Sequence, residues 1–552
     1  MNDTLRSSPP VATEPSRWQL VCLWLAAGAM LVATLGIEPV RRSQEARVLV
    51  TAREMLGAPL QHWLVPRCNG EIRLRKPPLA YWASAGSFAV LGIRAFSGRV
   101  PMALAGWLMV GLTYLVGRWI FGTRVGLFAA AALCTCMGFL NYMRLAETDA
   151  LAALFVTAAV YATWRGYAVS TSADDAPARR ARAAFWYVAA GVASGLAVMG
   201  KGPPGAYPFL FLLVLGAIER RWRAIGWGIA CSLPAALVVA APWFVYVLSQ
   251  PSAAQIAADF KNSAGGGKGH HEWFFEYFPR LFALAAPWSG LLGLALAFAA
   301  WERRDPRVRG LIVWVLVVLV PLCLWGNKQP HYLLPILPPL MVLIGAVVDR
   351  GLYGTDERLR GWTRGVLVAT VVVVALAAPA VPLVARSVRG KIVPADVALA
   401  GATAAWALVA LWLYRAGRAG RALTVATIGC ALTVAAIVTW WEPTLEDESP
   451  RAVADALRAA HGDGPYAFWG AAESLPLCFE LRAIIPRFTQ PEQVARHIAR
   501  YPDCVLIEAT SRNAEPTPPP PSYRVAERFT SGERQFVIFR RHADDAGSLA
   551  SP

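Results

Sequence analysis

The chain is short of charge. Asp, Glu, Lys and Arg make up 16% of its 552 residues, against about 25% in an ordinary soluble domain. That excludes a soluble globular protein of this length, and the mean hydropathy of +0.42 agrees. Acid is scarcer than base: 36 Asp and Glu face 53 Lys and Arg, for a net charge of +17. This excess does not read as a nucleic-acid surface. It sits in short loops between apolar runs, where the positive-inside rule puts it. The nine cysteines show no metal-ligand spacing. Cys134 and Cys136 fall inside an apolar run and read as packing. Cys478 and Cys504 fall in polar segments, either as a pair or as two buried free thiols. No small-residue cleavage site follows the first apolar run, Trp18 to Ile37, which reads as an uncleaved span behind a cytoplasmic tail. No repeat of fixed period is visible.

What is there is a series of apolar runs, many of about 18 residues or more. Threading them alternately through a bilayer puts the Arg-rich loops inside and predicts about thirteen spans. The expected fold class is therefore mainly α: a polytopic membrane protein over residues 1–440, followed by a small α/β domain over 441–552 with a disordered end. Two long polar loops, at about 38–99 and 249–280, lie on the outer side with that domain. Pro77 to Ile93 is apolar but short, and the charge count makes it a helix lying in the interface. In the tail, the segment from Ser449 to Ala460 reads as a capped helix, and Pro491 to Tyr501 as another. PYAFWG, CVLIEAT and QFVIFRR read as strands.

The unusual polar residues all fall on the outer side. They are Gln44, Glu45 and Arg47; Arg53 and Glu54; Arg75 and Lys76; Arg144, Glu147 and Asp149; Lys201; Lys268, His270, His271 and Glu272; and Lys328, His331 and Tyr332. A transporter places its ionisable groups near the midplane instead. Asp149 opens a span, as a helix N-cap at Thr148 or Asp149, as a substrate-orienting carboxylate, or as both. Glu45 is a solvated loop acid or a general base. Lys76 precedes two prolines; it anchors a helix to head groups or binds a lipid phosphate, with Arg75 offering a fork beside it. Tyr332 is an interface aromatic or a phosphate donor. GGGKGHHE is no P-loop, since no Ser or Thr follows the lysine, and no HExxH is present. His270 or His271 with a distant carboxylate is a candidate site for a divalent metal.

In their order, these motifs resemble one family. REMLGAPLQHWLVPRCNGEIRLRKPPLAYW, TDALAALF, GKGPPGAYP, GHHEWFFEYFPRLFALAAPW and NKQPHYLLPILPP are similar to the aminoarabinose lipid A transferases, within the GT-C class of membrane glycosyltransferases that includes the protein O-mannosyltransferases. The resemblance covers roughly the first 350 residues. It implies transfer of a sugar from an undecaprenyl-phosphate carrier, by inversion, to a lipid or glycan acceptor at the periplasmic face of a bacterial inner membrane. It implies Glu45 and Asp149 as catalytic carboxylates. Gln44, Arg47, Arg75, Lys76, Lys201, His270, Lys328 and Tyr332 then bind substrate, with the lipid phosphate near Lys76 and Tyr332. A hydroxyl acceptor needs a carboxylate base; a phosphate acceptor does not. Two departures stand out. Gln44 occupies the place of the family's loop aspartate, and Arg75 that of an acid which can share a metal with the later histidine. The alternatives are a transporter of a lipid-linked sugar or a non-catalytic relative.

Overall fold

The computed structural model describes residues 16–33, 35–172, 176–251, 254, 273–326, 328–441, 449–531 and 534–541. His270, His271, Lys268 and Glu272 lie outside them.

Among the described residues, seven helices are long and apolar enough to cross a membrane: Ala95–Phe121, Pro177–Lys201, Trp222–Leu248, Pro306–Leu324, Pro330–Tyr353, Glu357–Ala377 and Pro394–Arg415. Shorter apolar helices include Arg17–Val32, Thr123–Cys134 and Ser289–Trp301. Pro330–Tyr353 is the central one, with 94% of its apolar window buried, whereas only 17% of that of Glu357–Ala377 is. Side chains on the peripheral helices such as Leu376 and Trp412 stay exposed, as lipid-facing residues do. Close packing relies on small residues. A Cβ on Gly117 would sit 2.8 Å from the Cα of Gly126, so helices Ala95–Phe121 and Thr123–Cys134 meet backbone to backbone.

Three runs expected as single spans are broken. Leu127 to Tyr142 divides into Thr123–Cys134 and Met137–Tyr142. At the break Thr135 Oγ1 donates back to Ala131 O at 2.7 Å and accepts from Trp288 Nε1 at 2.8 Å, while Met137 N donates to Ala286 O at 2.8 Å. Leu281 to Ala300 divides at Pro287, and Val366 to Val384 at Pro379. Proline has no N–H to give the preceding turn. Apolar content alone does not reveal these breaks.

The first polar loop folds into helix Ser43–Met55, a short helix Leu60–Leu64, a two-residue hairpin pairing Arg67 with Ile72, and the helix Leu79–Leu91. Helix Ser43–Met55 is buried on most sides. Behind it, the C-terminal domain carries a five-stranded sheet. Its order is Arg487–Phe488, Tyr466–Trp469, Val505–Ser511, Arg534–Arg541, Tyr523–Ser531. The first three strands run parallel and the last three antiparallel. The three expected strands and both expected helices are present, the first helix capped by Ser449. Strands Arg487–Phe488 and Tyr523–Ser531 and helix Leu475–Leu481 were not legible from pattern. Cys478 and Cys504 are buried free thiols, which removes the disulfide alternative.

This domain grips the loop. Arg53 Nη1 donates to Cys478 O at 2.6 Å, and its Nη2 to Ala483 O at 3.0 Å. Asn69 sits at φ 55°, a left-handed position that asparagine tolerates. Its amide donates to Ile485 O at 2.8 Å and accepts from Ile485 N at 2.8 Å. Asn69→Ala removes both bonds and leaves buried backbone groups unpaired, at a cost of about 2–4 kcal/mol. Amide exchange in Leu475–Leu481 rises at least tenfold in that variant; unchanged protection would show that the grip lies elsewhere.

Candidate active site

The site is built where three helix ends meet on the side of the first polar loop. Helix Thr148–Thr171 begins with Thr148 and Asp149, and the positive end of its dipole favours a carboxylate there. The N-cap expected of Thr148 or Asp149 is not made. Glu147 is the N-cap residue, and it forms no side-chain cap bond. Helix Pro177–Lys201 ends in Lys201, where Gly202 at φ 87° turns the chain into Pro203 and Pro204. The 3-10 turn Pro330–Ile336 supplies His331 and Tyr332.

Around Asp149, which is 5% exposed, the contacts are dense. Lys201 Nζ forms a short ion pair with Asp149 Oδ1. The same ammonium stands 3.5 Å from the centre of the Tyr332 ring, a cation–π contact. His331 Nε2 is 3.8 Å from Asp149 Oδ2. Lys76 Nζ donates to Thr148 Oγ1 at 3.0 Å, which leaves two of its three N–H bonds to offer. Arg42 approaches Glu147 Oε1 at 3.7 Å and lies over the Tyr142 ring, 5.3 Å from its centre. Lys76, Asp149, Lys201 and Tyr332 are thus brought together. The sequence places Glu147 and His331 among the polar clusters without a role and offers Thr148 only as a helix cap; Arg42 was missed. Their signal was the short spacing Glu147-Thr148-Asp149 and the pair His331-Tyr332.

Glu45 is placed differently from a general base. It is 1% exposed. Its carboxylate accepts from Arg99 Nε at 2.7 Å, Arg99 Nη2 at 2.9 Å and Ala146 N at 3.0 Å. Arg99 also donates through Nη1 to Leu35 O and Glu38 O, both at 2.7 Å. Burial works to raise the Glu45 carboxyl, but the Arg99 guanidinium and these bonds outweigh it and hold it below the usual carboxylate range. Both oxygens are committed to a strut tying the first loop to the segment before Glu147. Gln44 is half-buried on the first turn of the same helix. Arg47 gathers with Arg73 and Arg75, and burial followed by Arg73 pushes it below the usual arginine range. Lys328 is buried, with Nζ donating to Trp325 O at 2.9 Å.

Glu147 is the carboxyl out of balance. It is 4% exposed, and its Oε2 has no hydrogen-bond partner. Burial, and then the neighbouring Asp149 charge, push it up to about 7 against the pull of Arg42. The folded state therefore holds this proton more tightly than the unfolded chain does. Its penalty is absent below about pH 4.5 and grows as pH rises to about 7, to at most about 3 kcal/mol. Glu147→Gln is expected to melt higher than wild type at pH 8 and to lose that advantage near pH 4.5. Melting curves in detergent at the two pH values check this.

The ligand atoms of Glu147, Asp149 and His331 lie within 4.8 Å of one another. Lys201 already pairs with Asp149, Arg42 faces Glu147, and Lys76 is bonded to the residue between them. A dication would meet three cations at this range, so the set does not fit a resident metal ion. The alternative metal position, at His270, lies outside the described residues.

A family model described as dolichyl-phosphate-mannose-protein mannosyltransferase matches residues 75–246. The undecaprenyl phosphate-alpha-4-amino-4-deoxy-L-arabinose arabinosyl transferase of Pseudomonas aeruginosa (strain UCBPP-PA14) is 33% identical over 330 residues, 57% of each chain. A second such transferase, from Pseudomonas fluorescens (strain Pf0-1), is 30% identical over 393 residues, 68% of this chain and 66% of the relative. The chain is a relative of the aminoarabinose transferases. Its match to the first of these relatives spans a little over half of that protein's length. The fold likeness runs further. The crystal structure of ArnT from Cupriavidus metallidurans in the apo state has a TM-score of 0.73 at 20% identity, covering 97% of this chain and 99% of ArnT. The structure of that ArnT bound to undecaprenyl phosphate gives 0.71 over 97% and 100%. The family region begins at Arg75, just before Lys76, and includes Asp149 and Lys201. The ArnT-like fold also takes in the small C-terminal sheet domain.

Proposed function

We propose that this protein transfers a sugar from an undecaprenyl-phosphate carrier to an acceptor at the periplasmic face of the bacterial inner membrane. The observation that carries the proposal is the meeting of Lys76, Lys201 and Tyr332 around Asp149 at the end of a GT-C helix bundle. Undecaprenyl phosphate is what the ArnT neighbour is described as binding, and aminoarabinose is the sugar of the sequence relatives.

The chain crosses the membrane thirteen times in this reading. Helix Thr148–Thr171 and five of the shorter apolar helices join the seven long ones, while Leu79–Leu91 lies in the interface. The two long loops, the C-terminal domain and the site then share the outer side. Lys76 and Lys201 bind the carrier phosphate as point charges, and the Tyr332 hydroxyl donates to it. Asp149 holds Lys201 against the Tyr332 ring, so the ammonium is aimed before substrate arrives. The acceptor attacks the anomeric carbon from the face opposite the phosphate, the C–O bond to phosphate breaks, and the configuration inverts. Phosphate is a good leaving group, so positioning and charge stabilisation carry most of the acceleration. Glu45 acts as a positioning group through Arg99, and Gln44 lies beside it without a chemical role.

Lys76→Ala removes one of the two phosphate-binding ammonium groups. Donor turnover in membranes carrying the full chain falls on the order of 10²–10³-fold with expression unchanged. Turnover within twofold of wild type would remove Lys76 from the site.

A further inference from the structure

We infer that Glu147 is the general base of this site, and that the acceptor is therefore a hydroxyl group rather than a phosphate. The inference rests on the transferase reading above and deepens it.

It starts from what the buried carboxylates around Asp149 are doing. Glu45 gives both oxygens to Arg99 and one of them also to Ala146 N. Asp149 gives Oδ1 to Lys201, and its Oδ2 lies 3.4 Å from the Thr148 hydroxyl and 3.8 Å from His331. Glu147 alone of the three keeps an oxygen, Oε2, buried and without a partner. Leaving such an atom unpaired is costly, and no cap bond explains it. The charged groups around the Glu147 carboxyl are Arg42 from the start of helix Ser43–Met55, Lys76 from the loop, Asp149 from its own helix, His331 from the turn Pro330–Ile336, and Glu45. Lys76 is bonded to Thr148, the residue between Glu147 and Asp149. The residue that carries the free oxygen adjoins Thr148, which holds Lys76 of the proposed phosphate cradle, while Arg42 approaches the other oxygen, Oε1, at 3.7 Å. Its proton affinity near neutrality is that of an effective base.

The step balances without a further reactant. The acceptor hydroxyl oxygen forms the new bond to the anomeric carbon. The bond from that carbon to the carrier phosphate breaks and its electron pair leaves with undecaprenyl phosphate. The hydroxyl proton passes to Glu147 Oε2 and is later released to water. A phosphate acceptor is already ionised and would leave Glu147 with nothing to accept.

The test uses the full chain in membranes of a strain lacking its own copy, with undecaprenyl-phosphate-linked aminoarabinose as the donor probe. Wild type, Glu147→Gln and Glu147→Asp are compared. Two quantities are read: kcat and KM for the donor, and the stability in mild acid of the sugar linkage on the product. The expected result is an acid-stable O-glycoside from wild type. Glu147→Gln loses on the order of 10²–10⁴ in kcat with donor KM within twofold, and Glu147→Asp recovers part of it. The raised melting temperature expected of Glu147→Gln at pH 8 separates this from unfolding. An acid-labile glycosyl phosphodiester, or undiminished kcat in Glu147→Gln, overturns the inference and leaves the transferase reading standing. Absence of donor binding and turnover in wild type overturns both.

Discussion

Asp149→Asn leaves a chain that inserts and folds but turns over donor at least on the order of 10³-fold more slowly. Asparagine keeps the size and the hydrogen-bonding reach of the carboxylate and removes only its charge. Lys201 then loses the partner that fixes it against Tyr332, and its ammonium is free to follow the carrier phosphate instead of meeting it in a set geometry. A misplacement of about 1 Å in a positioned group already costs about 10²-fold. Loss of the charge that balances two ammonium groups adds to this, and it strengthens ground-state phosphate binding, which does not help the chemical step. Donor KM is therefore expected to fall while kcat collapses. The check is steady-state kinetics on membranes matched for protein by size-exclusion profile. A kcat within tenfold of wild type would exclude Asp149 from the chemistry.

The second large effect is structural. Glu45→Ala leaves Arg99, 2% exposed, with its charge uncompensated in the core. Breaking one member of a buried pair costs about 3–5 kcal/mol. Much of a membrane protein's loop structure can be lost for that amount, so the variant melts many degrees lower and its first loop becomes open to protease. Arg99→Ala has a similar cost, since Glu45 then stands alone. The double variant Glu45→Gln with Arg99→Met costs less than either single change, because two neutral groups replace two charges. Thermal melts of all four chains measure this. A double variant as unstable as the sum of the singles would mean that the two side chains act independently.

Much of this architecture was legible in the sequence. The apolar helices and a small sheet domain after them followed from composition and pattern alone. So did Lys76, Asp149, Lys201 and Tyr332, because ionisable residues at the edge of hydrocarbon are rare enough to stand out. The roles of Glu45 and Glu147 were not legible. A sequence places both in polar stretches. Only the fold reveals that Arg99, 54 residues further on, claims the first carboxylate and that nothing claims an oxygen of the second. Local spacing could not reveal a partner that arrives from another helix. The substitution of Gln44 for an acid looked like a loss of chemistry. The structure keeps a second buried carboxyl, Glu147, with one oxygen unpaired. The broken helices at Thr135, Pro287 and Pro379 were missed for a related reason. An apolar run reads as one span until a side chain or a proline from the same run is seen to interrupt the ladder.

The measurement that bears most directly on the central claim is release of undecaprenyl phosphate. The purified full chain in lipid nanodiscs is supplied with undecaprenyl-phosphate-linked aminoarabinose and an envelope extract as acceptor source. Wild type is expected to release the carrier and move the sugar into the extract, while Lys76→Ala and Asp149→Asn, equally well folded, do neither. Release that is equal in all three chains, or absent from wild type while the donor remains intact, would contradict the account.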